Sequence, residues 1–260
     1  MSLEAKDYAL RLREAYTNKT PLPPLRAEIG VEDVDFAYQI QNVNTNYRLD
    51  HGARIVGKKI GLTSLAVQEQ LGVDQPDYGI LFNDMEVLNG GSVSTSVLMQ
   101  AKAEGEIAFV LGEDLDDDRL TIVDLINAID YALPAIEIVG SRIENWDIKI
   151  TDTVADNASA SHFVVGHTPK TLDEFDMVQC SMKIRKNRHL VSEGTGANCL
   201  GSPLNATLWL ANKMVEIGHP LKAGELIFTG ALGPMVNVEA GDRVNAHFEG
   251  LGSVSVSFTE

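Results

Sequence analysis

The chain has 260 residues, 44% hydrophobic and 22% charged, a balance that suits a globular protein with a sizeable buried core. Thirty-seven acidic against 21 basic residues give a formal net charge of −16 at pH 7, which argues against partners bound through phosphates, nucleic acid and anionic membranes alike. No apolar run approaches the roughly 20 residues that span a bilayer, no basic-then-apolar leader is visible, and Cys180 and Cys199 fit no metal or redox spacing. The expectation is a cytoplasmic protein with reduced thiols, whose partner is a small molecule.

Ala5, Ala9, Leu12 and Tyr16 recur at helical spacing, as do Phe36, Ile40, Val43 and Tyr47, and predict two amphipathic helices. Thr20-Pro21-Leu22-Pro23-Pro24 between them reads as an extended connector, because proline fixes φ and removes donors. Gly52 caps the second helix. Ile55 to Leu62 follows as a strand carrying Lys58 and Lys59, then Ser64 to Leu71 as a short helix ended by Gly72. Glu104 to Leu111 reads as a strand. Thr121 and Asp124 form a capping-box pattern before a helix with Ile122, Leu125, Ile126 and Ile129 on one face. Pro134 is expected to stop that helix, and Ala135 to Val139 to resume as a strand.

Cys180 to Ile184 reads as a strand turned back at Lys186-Asn187. Ser202-Pro203 opens a helix with a cap and a first-turn proline, its buried stripe Leu204, Leu208, Ala211 and Val215, its end Gly218. Val254, Val256 and Phe258 alternate with polar residues in a closing half-buried strand. Strands this scattered, without a βαβ rhythm, predict an α+β fold around a rolled mixed β-sheet with inserted helices. A small N-terminal helical region over 1–62 precedes a main domain over 63–260.

Side chains alternate across a strand, so Glu104 and Glu106 share a face, their Cα atoms roughly 7 Å apart, close enough to converge on one cation. Alone, Glu-x-Glu more often marks a solvated face. Glu137 shifts the balance, because it stands inside the apolar stretch Pro134 to Val139, where a bare charge costs several kcal/mol to desolvate. Three carboxylates in an apolar region either protonate or hold a cation. All-oxygen ligands without histidine or cysteine select a hard ion, Mg²⁺, Mn²⁺ or Ca²⁺ rather than Zn²⁺. The competing account is a Glu137–Arg142 ion pair in a structural network. The six histidines show no ligand spacing.

Several stretches in order carry a resemblance: Gly57-Lys58-Lys59-Ile60-Gly61-Leu62-Thr63-Ser64, Gln75-Pro76-Asp77-Tyr78-Gly79, Glu104-Gly105-Glu106-Ile107-Ala108 and Pro134-Ala135-Ile136-Glu137. Val154-Ala155-Asp156-Asn157-Ala158-Ser159 and Thr229-Gly230-Ala231-Leu232-Gly233-Pro234-Met235 complete it. Together they resemble the 2-hydroxypenta-2,4-dienoate (2-keto-4-pentenoate) hydratases of meta-cleavage aromatic degradation, in the hydratase/decarboxylase group of the fumarylacetoacetate-hydrolase superfamily. The similarity runs from about Gly52 to the C-terminus. It implies that superfamily's fold, a lyase that adds water to the dienol, and Mg²⁺ or Mn²⁺ on Glu104, Glu106 and Glu137, chelated by the substrate's carboxylate and 2-oxygen. A cation on that oxygen stabilises the charge that returns to it when water adds at C4.

The resemblance also assigns Lys59 to the enolate or to proton transfer, with a pKa lowered near a metal, and leaves Lys58 on the opposite, solvated face. Asp77 and Asp156 are the candidate acid–base carboxylates, although both sit in turn-like settings where aspartate often only caps. Ser159, Thr229 and Gly230 are candidates to bind the substrate carboxylate, and Arg142 to buttress the metal site. The resemblance further implies a homo-oligomer built from rings, a decamer among its forms, and association with the pathway's decarboxylase. Three alternatives stand beside this reading: 4-oxalocrotonate decarboxylation, an acylpyruvate C–C hydrolase for which no histidine–glutamate pair is evident, and a non-catalytic metal-stabilised scaffold.

Overall fold

The computed structural model describes residues 4–65, 68–69 and 73–260. Two long N-terminal helices form where the apolar spacing predicts them: α1 (Ala5–Asn18) and α3 (Val34–Asp50), separated by the proline connector and a four-residue α2 (Arg26–Ile29) that the pattern does not announce. Their buried stripes are Tyr8, Ala9, Leu12 and Ala15 on α1, and Ala37, Ile40 and Gln41 on α3. Tyr16 and Tyr47 lie outside them, exposed, because each stripe is narrower than its apolar spacing suggests. Gly52 has φ +91°, the left-handed position expected after a helix end. The helix expected over Ser64 to Leu71 lies largely outside the described residues.

Among the described residues the rest of the chain forms two sheets. In chain order its elements are β1 (Ile55–Gly61), β2 (Asp77–Phe82), β3 (Ser92–Ser94), β4 (Lys102–Leu111), α4 (Ile122–Ala128), β5 (Ile129–Val139) and α5 (Ile150–Ala155). There follow β6 (Ala160–Val165), β7 (Ser181–Lys186), β8 (His189–Thr195), α6 (Pro203–Glu216), β9 (Leu226–Ala231), β10 (Val236–Asn237), β11 (Arg243–Phe248) and β12 (Gly252–Thr259). The first sheet runs β2-β1-β9-β4-β5-β6, with β10 also on β4; the second runs β3-β12-β11-β7-β8. Pairing is antiparallel except β1 with β9 and β12 with β3, so the mixed sheet of an α+β fold is what forms. The stretch assigned to the N-terminal region includes β1, which pairs on both sides within the first sheet.

One large core joins the sheets to α6, with Phe109, Phe228, Phe248 and Phe258 almost fully buried, each contributing roughly 1.5–3 kcal/mol of burial. A second cluster packs Tyr8, Leu12, Leu25 and Ile40 against Ile143, Ile150 and Val154, which fastens the N-terminal helices to α5. Arg26 strengthens that joint through its pair with the buried Asp152, at 2.7 Å.

Two sequence expectations shift. Pro134 does not stop the helix. α4 ends at Ala128, and β5 runs straight through Pro134, which stands opposite Ile107, while pairing with β6 begins only at Ala135. A proline is tolerated there because it lies just past the end of β6, where its carbonyl accepts from the Gly166 N–H at 2.8 Å and no donor is required of it. On α6 the buried residues are Pro203, Ala206, Thr207, Leu210, Ala211 and Met214, leaving Leu204, Leu208 and Val215 at the margin. Thr207 enters the core by donating its hydroxyl to Pro203 O at 2.9 Å, which an apolarity count passes over.

Candidate active site and metal centre

The alternation of β4 sends Glu104 and Glu106 to one face, and register places Glu137 of the neighbouring β5 directly opposite Glu104. One carboxylate oxygen from each lies within 4.8 Å of those of the other two. Glu106 and Glu137 are buried and Glu104 half-buried. Among the described residues neither oxygen of Glu137 has a hydrogen-bond partner, although Lys59 Nζ stands 3.2 Å from Oε2. Such an acceptor-rich, donor-poor cluster fits a hard divalent cation. Glu106 Oε2 does have a donor, the Gly230 N–H at 2.8 Å. Gly230 makes that approach at φ +104°, where a Cβ would meet Thr63 Oγ1 at 2.2 Å, so no other residue fits.

Burial is the first cause that raises all three pKa values. Glu104 is pushed from an ordinary 4.5 up to about 7, with the Glu137 charge adding to burial. Glu106 rises well above the usual range through burial and then its two glutamate neighbours. Glu137 rises through burial, against the opposing charge of Lys59. A raised carboxylate pKa means that the folded state binds more protons than the unfolded one, so stability falls with rising pH across the shifted window. Metal-free protein is therefore expected to lose melting temperature between about pH 4.5 and 7, and Mg²⁺ should raise it more at pH 8 than at pH 5. A differential scan at the two pH values checks this; an equal metal effect at both would contradict it.

Lys59 reaches the cluster from β1, fully inside the protein. Its Nζ donates to Ala158 O at 3.0 Å beside the Glu137 contact. Burial works to lower its pKa, but Glu137, Asp77, Glu104 and Glu106 together outweigh it and hold the ammonium above its ordinary value. In the metal-free protein the four carboxylates that face the group oppose the lowering expected from the sequence. Lys58 does point the other way, yet it is buried and pairs with Glu225 at 2.8 Å instead of being solvated.

Asp77 opens β2 opposite Gly61, is 2% exposed, and has an Oδ1 without a hydrogen-bond partner among the described residues. Burial raises its pKa, and Lys59 counters it. Asp156 is not brought into this cluster. Arg142 grips it instead, through its backbone N–H at 2.8 Å to Oδ2, its Nε to Oδ1, and its Nη2 at 2.7 Å to the Asp156 carbonyl. Arg142 thus pairs with Asp156 and not with Glu137. Breaking such a buried pair costs about 3–5 kcal/mol. Ser159 is buried with its hydroxyl 3.2 Å from that of Thr153, and the Thr229 hydroxyl donates to Ile107 O at 2.8 Å.

The sequence reading missed two participants, the Ala158 carbonyl and Thr63. A backbone acceptor leaves no side-chain signature, and Thr63 shows its place only once β9 lies beside the end of β1. Elsewhere, an open cleft of about 700 Å³ between the N-terminal helices and the first sheet is lined by Arg13, Tyr47, Arg48, Asp84 and His162, without Lys59 or any of the three glutamates.

Comparison with known proteins agrees with this architecture. Residues 60–259 match the family described as fumarylacetoacetate (FAA) hydrolase C-terminal. The chain is 52% identical over 256 residues to 2-keto-4-pentenoate hydratase 1 of Dechloromonas aromatica, covering 98% of this chain and 97% of that protein. It is 53% identical over 249 residues to the TodF product hydratase of Pseudomonas putida F1, covering 96% and 93%. Among solved structures, 4-oxalocrotonate decarboxylase from Pseudomonas putida G7, complexed with magnesium and adipate, superposes with a TM-score of 0.94 at 35% identity, covering 98% and 97%. The chain therefore belongs to the fumarylacetoacetate hydrolase family. Within it the chain groups with the 2-keto-4-pentenoate hydratases, and it is an enzyme of the lyase class.

Proposed function

We propose that this enzyme adds water to 2-hydroxypenta-2,4-dienoate, giving 4-hydroxy-2-oxopentanoate in the breakdown of aromatic compounds, with Mg²⁺ or Mn²⁺ held by Glu104, Glu106 and Glu137. The observation that carries it is the trio of converging carboxylates beside a buried lysine, in a chain about half identical to hydratases over nearly its whole length. Bound there, the cation supplies Lewis-acid stabilisation of charge at the substrate's 2-oxygen.

The chain's own groups do the rest. Asp77, whose pKa burial raises, delivers a proton to C5 of the dienol as the 2-hydroxyl gives its proton up to solvent, leaving the conjugated 2-oxo-3-enoate. Its carboxylate then takes a proton from water as that oxygen bonds to C4. C3 takes a proton back from solvent, which balances the one the 2-hydroxyl gave up. Lys59, as ammonium, stabilises negative charge on the 2-oxygen in both halves. Asp156 serves to fix the loop through Arg142. Of the three candidates for the substrate carboxylate, Ser159 alone has a hydroxyl not committed to a backbone acceptor, and it takes that role.

Ultraviolet loss of the dienol on adding enzyme, with 4-hydroxy-2-oxopentanoate identified by mass, is the expected result. The likeness to the decarboxylase structure supports a second reading, loss of carbon dioxide from 4-oxalocrotonate. A faster carbon dioxide release from that acid than dienol hydration would replace the first reading with the second. The same reading carries self-association into rings, for which exposed Leu10, Tyr16 and Tyr47 on the N-terminal helices provide apolar surface. Sedimentation at micromolar concentration is expected to show an oligomer; a monomer would refute it.

A further inference from the structure

Between α5 and β6 the chain makes a turn of the unusual hand. Asn157, Ala158 and Ser159 have φ of 56°, 49° and 59°, and none of them is glycine. L-residues do not adopt three left-handed positions in a row by preference, so the surroundings must hold them there. Asn157 does most of the holding. Its Oδ1 accepts from Ile80 N at 2.8 Å and its Nδ2 donates to Ile80 O at 3.0 Å, so the carboxamide pairs with β2 as a strand residue would. Gly79 leaves room for this, since a Cβ there would stand 2.4 Å from Asn157 O. Asp156, gripped by Arg142, anchors the entry to the turn.

What the turn delivers to the site is the Ala158 carbonyl, 3.0 Å from Lys59 Nζ. The ammonium is thereby held between that carbonyl, which accepts its hydrogen bond, and the charge of the Glu137 carboxylate, with Oε2 at 3.2 Å. Only the carbonyl is fixed by backbone. Without it the lysine would follow the carboxylates alone.

We propose that Asn157 is a positioning residue for the reaction: by clamping the left-handed turn to Ile80, it fixes the Ala158 carbonyl that aims Lys59 at the substrate. The inference rests on the role given to Lys59 above. Asn157→Gly separates clamp from conformation, because glycine keeps the left-handed φ open while removing both bonds to Ile80. With Mg²⁺-loaded enzyme and 2-hydroxypenta-2,4-dienoate, kcat should fall about 10–100-fold, the scale of a misplaced catalytic group. KM and the Mg²⁺ concentration for half-maximal rate should stay within about threefold. In a Lys59→Ala background the same substitution should lose its effect on kcat, since the lysine it aims is gone.

Asn157→Asp, which keeps the acceptor for Ile80 N–H and loses the donor, goes through the same cycle and is expected to lose less. It carries the test if the glycine variant does not fold. Unchanged kcat in the variants that fold overturns the proposal, as does a loss in the Lys59→Ala background equal to that in the wild type. A wild-type rate for Lys59→Ala itself would instead overturn the lysine's role, and this inference with it. Loss in Lys59→Ala with none at Asn157 would overturn the inference alone.

Discussion

Exhaustive chelation with EDTA is expected to abolish dienol hydration, and Mg²⁺ or Mn²⁺ to restore it. The reason lies in the donor set. Glu137 is fully buried, neither of its oxygens has a hydrogen-bond partner among the described residues, and Glu104 and Glu106 crowd it with further negative charge. A cation that relieves this crowding and also draws charge from the substrate is worth several kcal/mol in the transition state. At 1.36 kcal/mol per tenfold, its loss amounts to about 10³-fold or more in rate. Glu106→Gln should approach the same deficit at limiting Mg²⁺ with the fold intact, because the amide oxygen still accepts from Gly230 N–H while the ligand charge is gone. Full activity in thoroughly metal-free enzyme would end this account, and wild-type metal affinity in Glu106→Gln would remove that residue from the ligand set.

Lys59→Ala is expected to lower kcat by about 10²–10⁴-fold, the usual cost of losing a positioned proton-transfer or charge-stabilising group. Metal affinity should change far less, since Lys59 opposes the cation instead of binding it. Lys58→Ala deletes the same charge one residue away. It should leave kcat near the wild-type value but lower the melting temperature, because Glu225 keeps a largely buried carboxylate with its lysine removed, at a cost of about 1–3 kcal/mol. Parallel kinetics and thermal melts separate the two. Equal effects on kcat would show that the two faces of β1 have been assigned wrongly.

Local rules carry far along this sequence wherever geometry follows from neighbours in the chain. Strand alternation puts Glu104 and Glu106 together and sets Lys58 and Lys59 apart, and Thr121-x-x-Asp124 closes the capping box its spacing announces. The third glutamate is legible because a charge inside an apolar strand demands a reason. What is not legible depends on partners far off in sequence. Glu225 turns Lys58 from a solvated residue into a buried one, and Arg142 claims Asp156 in preference to Glu137. Pro134 misleads because its effect depends on which strand lies beside it and from where. The left-handed run at Asn157, Ala158 and Ser159 opposes the residues' own preferences by roughly 1–2 kcal/mol each, so propensity points away from it.

The parallel pairing of β1 with β9 also bears on how the molecule comes into being. β4 and β5 are close in sequence, so the strand pair bearing all three glutamates can assemble early, as soon as its chain has left the ribosome. Gly57 and Lys59 must wait for Leu226 and Phe228, and Glu106 for the Gly230 amide, before the sheet closes around them. Such distant contacts are slow to form, because a long loop must be ordered before they give anything back. During synthesis the chain carries all three glutamates before the strand that lies between them and β1 has been made. A chain cut short ahead of Leu226 would retain every carboxylate ligand and still lack the strand that joins them to the rest of the site.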